Sequence, residues 1–212
     1  MFTIKAFTFN AFQENTYLLY NENADAILID PGCYENAEQT ELKEFITQNG
    51  LTLKRMIFTH AHIDHVLGAS FIERTYGLAM EMHEFELPVW RAIPSYASNY
   101  GFVYQSAEEP QTFLTTSDEI ILGTDKLQII FTPGHSPGSI SFYCAAQQFI
   151  ISGDVLFFKS IGRTDLAGGN FETLIQSIKE QLFTLPADTK VYAGHGITTT
   201  IEQERIHNPF LK

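Results

Sequence analysis

Short apolar runs bounded by turn-forming residues occur along the whole chain. Near the N-terminus, TYLLY and AILID are separated by the polar triplet Asn21-Glu22-Asn23, which predicts two or three strands joined by tight turns. Further on, EIILGTDKLQIIF and SISFYCAAQQFIIS each contain two apolar runs around a polar turn, and each predicts a β-hairpin. Strands are therefore expected in both halves of the chain.

Apolar residues at helical spacing separate these strands in four places. The predicted helices lie around Leu42, Phe45 and Ile46, from about Val66 to Tyr76, from Glu84 to Ser98, and from Phe171 to Leu182. Pro88 and Pro94 act against a continuous third helix, and Asn170 supplies an N-cap for the fourth. Strands in pairs and triplets between single helices favour an α/β fold of layered, mixed sheets. Because repeats and linker-like tracts are missing, residues 1–212 are predicted to form a single domain.

Composition and charge narrow the function classes. The chain has 212 residues, 44% of them hydrophobic, which is enough for a sizeable core. The formal net charge of -12 disfavours nucleic acid as a partner, because phosphates would be repelled. No apolar run reaches the length of a membrane span, and Cys33 and Cys144 lack CxxC spacing. We therefore expect a cytoplasmic protein with buried thiols and with neither a nucleic-acid nor a membrane partner.

The segment THAHIDH, residues 59–65, places three of the seven histidines within six positions. Similar residues follow other apolar runs: RMIFT leads into His60, LQIIFTPG into His135, FIISG into Asp154, and KVYAG into His195. If these runs are strands that end at one edge of the sheets, their ligand-type side chains meet on loops held by a rigid scaffold. The isolated residues His83 and His207 are instead expected to be half-buried or exposed without a ligand role.

These positions together predict a metal centre rather than scattered turn residues. The candidate ligands are His60, His62, Asp64, His65, His135, Asp154 and His195. Seven nitrogen and carboxylate ligands are too many for one tetrahedral ion, and they suit two divalent ions, Zn above all, with Fe or Mn as alternatives. Asp154 is the expected bridge between the two ions. Such a pair of ions would provide hydroxide at neutral pH, and Asp64 is predicted to orient it.

Two cations close to Asp154 are candidate substrate-binding residues. Lys159 and Arg163 lie in FKSIGRTDLAGGN, and either could receive a substrate carboxylate. The alternative is an ion pair inside the loop between Arg163 and Asp165. The serines near the ligands do not form a Ser-His-Asp arrangement and are expected to stabilise turns or orient imidazoles.

The motifs resemble those of a known family. THAHIDH matches the HxHxDH signature of the metallo-β-lactamase fold superfamily, and TPGHSPGSI, SGD and AGHG resemble its later metal motifs in the same order. ENTYLL, LIDPG and ERIHNPF extend the similarity over nearly the whole chain, in particular to the glyoxalase II group with its short bacterial hydroxyacylglutathione hydrolases. The resemblance implies an αββα sandwich of two mixed β-sheets flanked by helices, with the site at one edge between the sheets. By the same resemblance, the first ion would be held by His60, His62 and His135, the second by Asp64, His65 and His195, and Asp154 would touch both.

The expected activity is hydrolysis of a small-molecule thioester. The chain ends 17 residues after His195, whereas longer glyoxalase II enzymes continue into a helical region that binds glutathione, so we expect a weak fit for glutathione itself. GRTD also occurs in related persulfide dioxygenases, which use one iron held by two histidines and an aspartate, so an oxidoreductase is the alternative. A non-catalytic module stabilised by metal is a third hypothesis, although seven ligands exceed what a structural site needs.

Overall fold

The computed structural model describes all 212 residues and contains two six-stranded mixed sheets. The strands of the first sheet follow chain order: β1 (Thr3–Phe9), β2 (Glu14–Tyr20), β3 (Asp25–Ile29), β4 (Thr52–Ile57), β5 (Met80–Met82) and β6 (Thr112–Phe113). The pairs β1/β2 and β2/β3 are antiparallel, whereas β3 to β6 run parallel. The predicted turn between TYLLY and AILID is the tight connection between β2 and β3.

The second sheet is built mainly from the C-terminal half. Its strands are β7 (Glu119–Leu122), β8 (Asp125–Phe131), β9 (Ile140–Cys144), β10 (Phe149–Gly153), β13 (Lys190–Ala193) and β14 (Thr199–Thr200), in the spatial order β14-β13-β10-β9-β8-β7. β7/β8 and β9/β10 are antiparallel pairs, as the two predicted hairpins require. Between β10 and β13 the chain forms a small separate hairpin of β11 (Leu156–Phe157) and β12 (Ser160–Ile161). β10 and β13 pair in parallel, so their carboxyl ends share one edge.

Helices cover the outer face of each sheet. They are α1 (Asn36–Gln48), α2 (Ile63–Val66), α3 (Ala69–Tyr76), α4 (Leu87–Tyr96), α5 (Phe171–Glu180) and α6 (Ile201–His207). None of the helices combines the length and the apolar character that crossing a bilayer requires.

Side chains that point alternately to the two faces of each strand produce the layers of the fold. In β3, Leu28 packs into the core under α1 and α3, while Ile27 and Ile29 pack into the core between the two sheets. In β10, Ile151 faces the core between the sheets and Ile150 faces a third core with α5 and α6. Since successive side chains of a strand point to opposite faces, each sheet is buried on both sides. The order of layers is helix, sheet, sheet, helix, as the resemblance implied.

Three of the four predicted helices differ from the observed ones in their boundaries. The segment predicted from Val66 to Tyr76 is divided into α2 and α3, because the chain around Gly68 packs closely against an earlier loop. The Gly68 N–H donates to the carbonyl of Pro31 at 2.8 Å, and a Cβ at Gly68 would lie 2.6 Å from the Cys33 sulfur. Leu182 lies beyond α5, in a short 3-10 turn.

The segment predicted from Glu84 to Ser98 is helical in three parts. It consists of α4 between two 3-10 turns, Glu84–Glu86 and Ala97–Tyr100. Pro88 lies in the first turn of α4, where a missing N–H costs nothing. Pro94 lies inside α4, two residues before its end.

Candidate metal centre

The structure brings all seven candidate ligands together at one edge between the two sheets. Four come from the segment after β4: His60 and His62 lie in the loop, and Asp64 and His65 lie in the single turn of α2. The other three follow strands of the second sheet, His135 after β8, Asp154 after β10 and His195 after β13. The common rim expected from the strand ends is therefore present.

Three histidines form a group that we call the imidazole set: His60, His62 and His135. Their ring nitrogens lie within 4.8 Å of one another, and all three residues are buried. His62 Nδ1 and His135 Nε2 approach to 2.8 Å. Burial lowers the pKa of His60 well below its ordinary value, and burial together with the neighbouring His135 lowers the pKa of His62 to about 3. These imidazoles are therefore neutral near pH 7, the state in which imidazole binds a metal.

Asp64, His65 and His195 form a second group, which we call the mixed set. Their donor atoms also lie within 4.8 Å of one another, and His195 Nε2 is 3.1 Å from Asp64 Oδ2. Asp154 lies between the two sets. Its Oδ1 is 3.4 Å from His65 Nε2, and its Oδ2 is 3.5 Å from both His135 Nε2 and His195 Nε2. One carboxylate thus reaches both sets, as a bridging ligand must.

Two observations indicate that these residues are suited to bind divalent metal ions. The Nε2 atoms of His60 and His65 and the Oδ1 atom of Asp154 are buried without a hydrogen-bond partner. Buried polar atoms are rarely left unpaired in folded proteins, and these three atoms belong to neighbouring candidate ligands, so the residues present fit coordination of a cation. The donors are nitrogen and carboxylate oxygen without thiolate, a combination that suits Zn and equally Fe or Mn.

Buried hydrogen bonds fix the orientation of two ligands in the segment after β4. Asp30 is almost fully buried; its Oδ1 accepts the Thr59 N–H at 2.7 Å, and its Oδ2 lies 3.1 Å from His65 Nδ1. The Thr59 hydroxyl donates to Asp30 and lies 3.0 Å from His60 Nδ1. With their Nδ1 atoms engaged in this way, His60 and His65 direct Nε2 toward the site. The residue types in LIDPG gave no direct signal for this role of Asp30.

Backbone carbonyls orient the two outer histidines. His135 Nδ1 is 2.7 Å from the carbonyl oxygen of Arg163, and His195 Nδ1 is 3.0 Å from that of Phe12. Both rings therefore present Nε2 to the site. The contribution of Arg163 to the site thus includes its carbonyl group, which a search for charged side chains could not reveal.

Glu86 links the two loops that carry the imidazole set. It is fully buried, and its carboxylate accepts the Ala61 N–H at 2.8 Å, the Gly138 N–H at 2.6 Å and the Ser136 hydroxyl at 2.6 Å. Burial raises the pKa of Glu86, and the hydrogen bonds oppose that rise. Sequence reasoning did not find Glu86, because a single acidic residue in EMHEFELP has no pattern that marks it as buried.

Gly194 of the AGHG motif allows the close approach of the ligands. A Cβ at this position would lie 2.1 Å from Asp154 Oδ1 and 2.7 Å from His65 Cε1. Any larger residue would displace one of these ligands, so the glycine is required by packing.

The two candidate substrate-binding cations lie outside the ligand cluster. The Arg163 guanidinium donates to both carboxylate oxygens of Asp165 at 2.7 Å, which is the ion pair inside the loop that the sequence allowed. Lys159 is exposed, with its ammonium group 5.2 Å from the centre of the Phe158 ring. Cys33 and Cys144 are buried free thiols, His83 is half-buried and His207 is exposed, as expected.

The imidazole set and the mixed set, at one edge of an αββα sandwich, are typical of a class of metal-dependent enzymes. A family model described as the metallo-β-lactamase superfamily matches residues 9–195. The chain belongs to this superfamily, which supports a metal-dependent hydrolase with bound divalent metal.

Two similar proteins of known sequence illustrate the relationship. The chain is 39% identical over 202 residues to a probable metallo-hydrolase, YqgX, from Bacillus subtilis, covering 94% of this chain and 92% of the relative. It is 36% identical over 203 residues to the hydroxyacylglutathione hydrolase GloC from Haemophilus influenzae, covering 95% and 94% of the two chains.

Solved structures share the fold. BLEG-1 B3 metallo-β-lactamase is 35% identical, with a TM-score of 0.90 over 99% of this chain and 100% of its own. TTHA1623 in a di-iron-bound form is 33% identical, with a TM-score of 0.87 over 98% and 100% of the two chains. ETHE1 from Myxococcus xanthus is 27% identical, with a TM-score of 0.78 over 98% of this chain and 83% of its own. One of these neighbours is thus described with iron, and the comparisons leave the metal of this chain unassigned.

Proposed function

We propose that the protein is a thioester hydrolase of the glyoxalase II type that works with two divalent metal ions. The observation that carries this proposal is the position of Asp154 between the imidazole set and the mixed set, with one oxygen 3.4 Å from His65 and the other 3.5 Å from His135. The imidazole set would hold one ion and the mixed set the other. Zn is the metal that we propose, with Fe or Mn as alternatives for the same donors.

The reaction needs a nucleophile at neutral pH and a positive charge next to the carbonyl oxygen of the substrate. When bound, two divalent ions would lower the pKa of a water molecule toward about 7 and polarise the carbonyl of the substrate. Asp64 lines the cavity in front of the ligands, and its carboxylate can accept a hydrogen bond from the attacking water and orient it. Asp30 and the Arg163 carbonyl keep His65 and His135 in fixed orientations, so that these groups need not reorganise during the reaction.

Support for thioester chemistry comes from the relative named hydroxyacylglutathione hydrolase GloC, which aligns over almost the whole chain. A small-molecule thioester is consistent with the cavity of about 700 Å³ at the site. The net charge of -12 gives little attraction for polyphosphates or nucleic acids.

The alternative is a persulfide dioxygenase that uses one iron. Among the structural neighbours, ETHE1 fits this alternative, whereas TTHA1623 is described with iron but with two ions rather than one. A single iron would leave the mixed set without a metal, although its three residues already place their donor atoms within 4.8 Å of one another. We therefore favour the two-metal hydrolase.

Metal content and His65→Ala test the proposal. Wild-type protein is expected to bind about two equivalents, and the variant about one, because His65 contributes to the mixed set and not to the imidazole set. Thioester cleavage should fall more than about 100-fold, since changes to the outer partners of ligands alone cost about 10–100-fold. His207→Ala, at an exposed histidine, is the matched control and should retain both metal and activity.

The same preparations separate the two reactions. Thiol release from S-lactoylglutathione and from an uncharged thioester is measured beside oxygen uptake with glutathione persulfide. One iron per chain, with oxygen uptake and no thioester cleavage, would replace the hydrolase by the dioxygenase.

A further inference from the structure

A cavity of about 700 Å³ opens onto the candidate ligands. This volume lies within the range of about 300–1,000 Å³ that is typical of small-molecule sites. Half of its twenty lining residues are hydrophobic, which decides what kind of group can lie in it. The non-reacting part of a substrate must occupy this space, so the walls determine which thioesters fit.

One face of α4 forms an apolar wall of the cavity. Val89, Ala92 and Tyr96 line it, and their spacing of three and four residues places them on the same side of the helix. Leu166 also lines the cavity, from the loop that follows Arg163, and Phe12 lines it from the loop between β1 and β2. The wall carries no charged side chain, so an apolar group can bind against it without removing a charge from water.

Aromatic rings continue the wall toward solvent. Phe12 and Tyr100 lie edge to face with ring centres 5.7 Å apart, and they are 41% and 49% exposed. Tyr100 also contacts Tyr96, with ring centres 6.0 Å apart. Adjoining exposed apolar side chains that border a cavity are typical of a surface that binds an apolar ligand.

The cavity offers little to a negatively charged group beyond the metal centre. Among the lining residues other than the candidate ligands, Arg163 is the one that carries a charge. Both of its carboxylate-facing nitrogens already donate to Asp165 at 2.7 Å. A substrate carboxylate would therefore meet a guanidinium whose charge Asp165 already balances, on a protein of net charge -12.

We infer that the enzyme selects thioesters with an uncharged, apolar group next to the thioester bond, bound against the α4 wall, over thioesters of glutathione, a tripeptide that carries two carboxylates and one ammonium group. This inference rests on the proposed thioesterase function and specifies its substrate class. Each methylene buried against the wall should raise kcat/KM about fourfold, which is about 0.8 kcal/mol converted at 25 °C.

The test compares four thioesters on the metal-loaded enzyme. S-acetyl-N-acetylcysteamine is the small reference; S-hexanoyl-N-acetylcysteamine extends the acyl side, S-hexyl thioacetate extends the thiol side, and S-hexanoylglutathione adds the charged tripeptide. We expect at least one extended uncharged compound to exceed the reference by more than tenfold in kcat/KM. We also expect S-hexanoylglutathione to be cleaved more slowly than S-hexanoyl-N-acetylcysteamine.

A pair of variants on α4 assigns the effect to the wall. Ala92→Glu introduces a charge into the wall, and Ser95→Glu introduces the same charge on the same helix at an exposed position outside the cavity. Glutamate is a good helix former, so both variants should fold. Ala92→Glu should remove most of the advantage of the extended compound, whereas Ser95→Glu should preserve it, with equal metal content in both.

Binding separates this inference from the proposed function. The thioethers S-ethyl- and S-hexyl-N-acetylcysteamine cannot be cleaved, and calorimetry on the wild type should show tighter binding of the hexyl compound, lost in Ala92→Glu. If no thioester is cleaved but this difference remains, the hydrolase proposal fails and the apolar wall stands. Equal rates for short and extended compounds, faster cleavage of the glutathione thioester, or equal binding of the two thioethers would overturn the inference.

Discussion

Replacing Glu86 by glutamine should destabilise the protein even though the change is isosteric. The carboxylate accepts hydrogen bonds from Ala61, Ser136 and Gly138, which lie in the two loops that position the imidazole set. Glutamine has one acceptor oxygen and one NH₂ group in place of two acceptors. Whichever way the amide is turned, its NH₂ group faces the N–H of either Ala61 or Gly138, and that buried N–H loses its partner.

The magnitude follows from these contacts. An unpaired buried N–H costs about 1–3 kcal/mol, and the remaining bonds weaken because they no longer involve a charged acceptor. Part of this loss is offset, because burial raises the pKa of Glu86 and thus already penalises the charged form. We expect a net loss of about 2 kcal/mol, or about 4–8 °C in Tm for a chain of this size.

Urea and thermal unfolding of the chelator-treated protein measure this loss without a contribution from bound metal. The matched control is Glu84→Gln, an exposed acid two residues away, which should change stability by less than about 0.5 kcal/mol. Equal stability of the two variants would refute the view that Glu86 ties the loops together.

Three further expectations follow from the site. Burial lowers the pKa of His195, but the hydrogen bond to Asp64 and the negative charge of Asp154 raise it by more, so the net shift is upward. The pKa values of the imidazole set are lowered instead. As pH falls from 8 to 4, protons should therefore compete first at the mixed set, and dialysis with metal analysis should show two separate losses rather than one. Gly194→Ala should lower metal content, measured by elemental analysis, because its Cβ would lie 2.1 Å from Asp154 Oδ1; full metal loading would contradict this. Arg163→Gln should leave Tm unchanged and raise the pKa of Asp165 from about 2 toward its ordinary value, as followed by carboxyl NMR, and an unmoved pKa would contradict the pairing.

The sequence allowed much of this architecture to be predicted, because its strongest signals are local. The runs before His60, His135, Asp154 and His195 are short, β-branched and bounded by turns, so both their strand character and the position of the ligand after each run can be read from adjacent residues. The αββα arrangement followed from the family resemblance of the motifs.

Other features depend on contacts between distant segments. Asp30 accepts a hydrogen bond from Thr59, 29 residues away in the sequence, and Glu86 accepts one from Ala61, 25 residues away. Neither acid is marked by a periodic pattern. The division between α2 and α3 arises from contacts of Gly68 with Pro31 and Cys33, not from a helix-ending signal in its own segment. The apolar wall on α4 was not predicted, because Pro88 and Pro94 indicated an interrupted helix. In the structure Pro88 lies in the first turn of α4, where proline is tolerated.

The division of the ligands between the two sheets has a consequence for folding. Four ligands follow β4 of the first sheet and three follow strands of the second sheet, so neither half of the chain can assemble either the bridged centre or the imidazole set alone. Metal held by these ligands would therefore act as a crosslink that exists only after the two sheets have docked. It would stabilise the docked state by mass action, by about 2.7 kcal/mol at a free concentration 100 times the Kd. The interface between the sheets should open more often when metal is scarce, so that resistance of this chain to proteolysis becomes a measure of the metal supply around it.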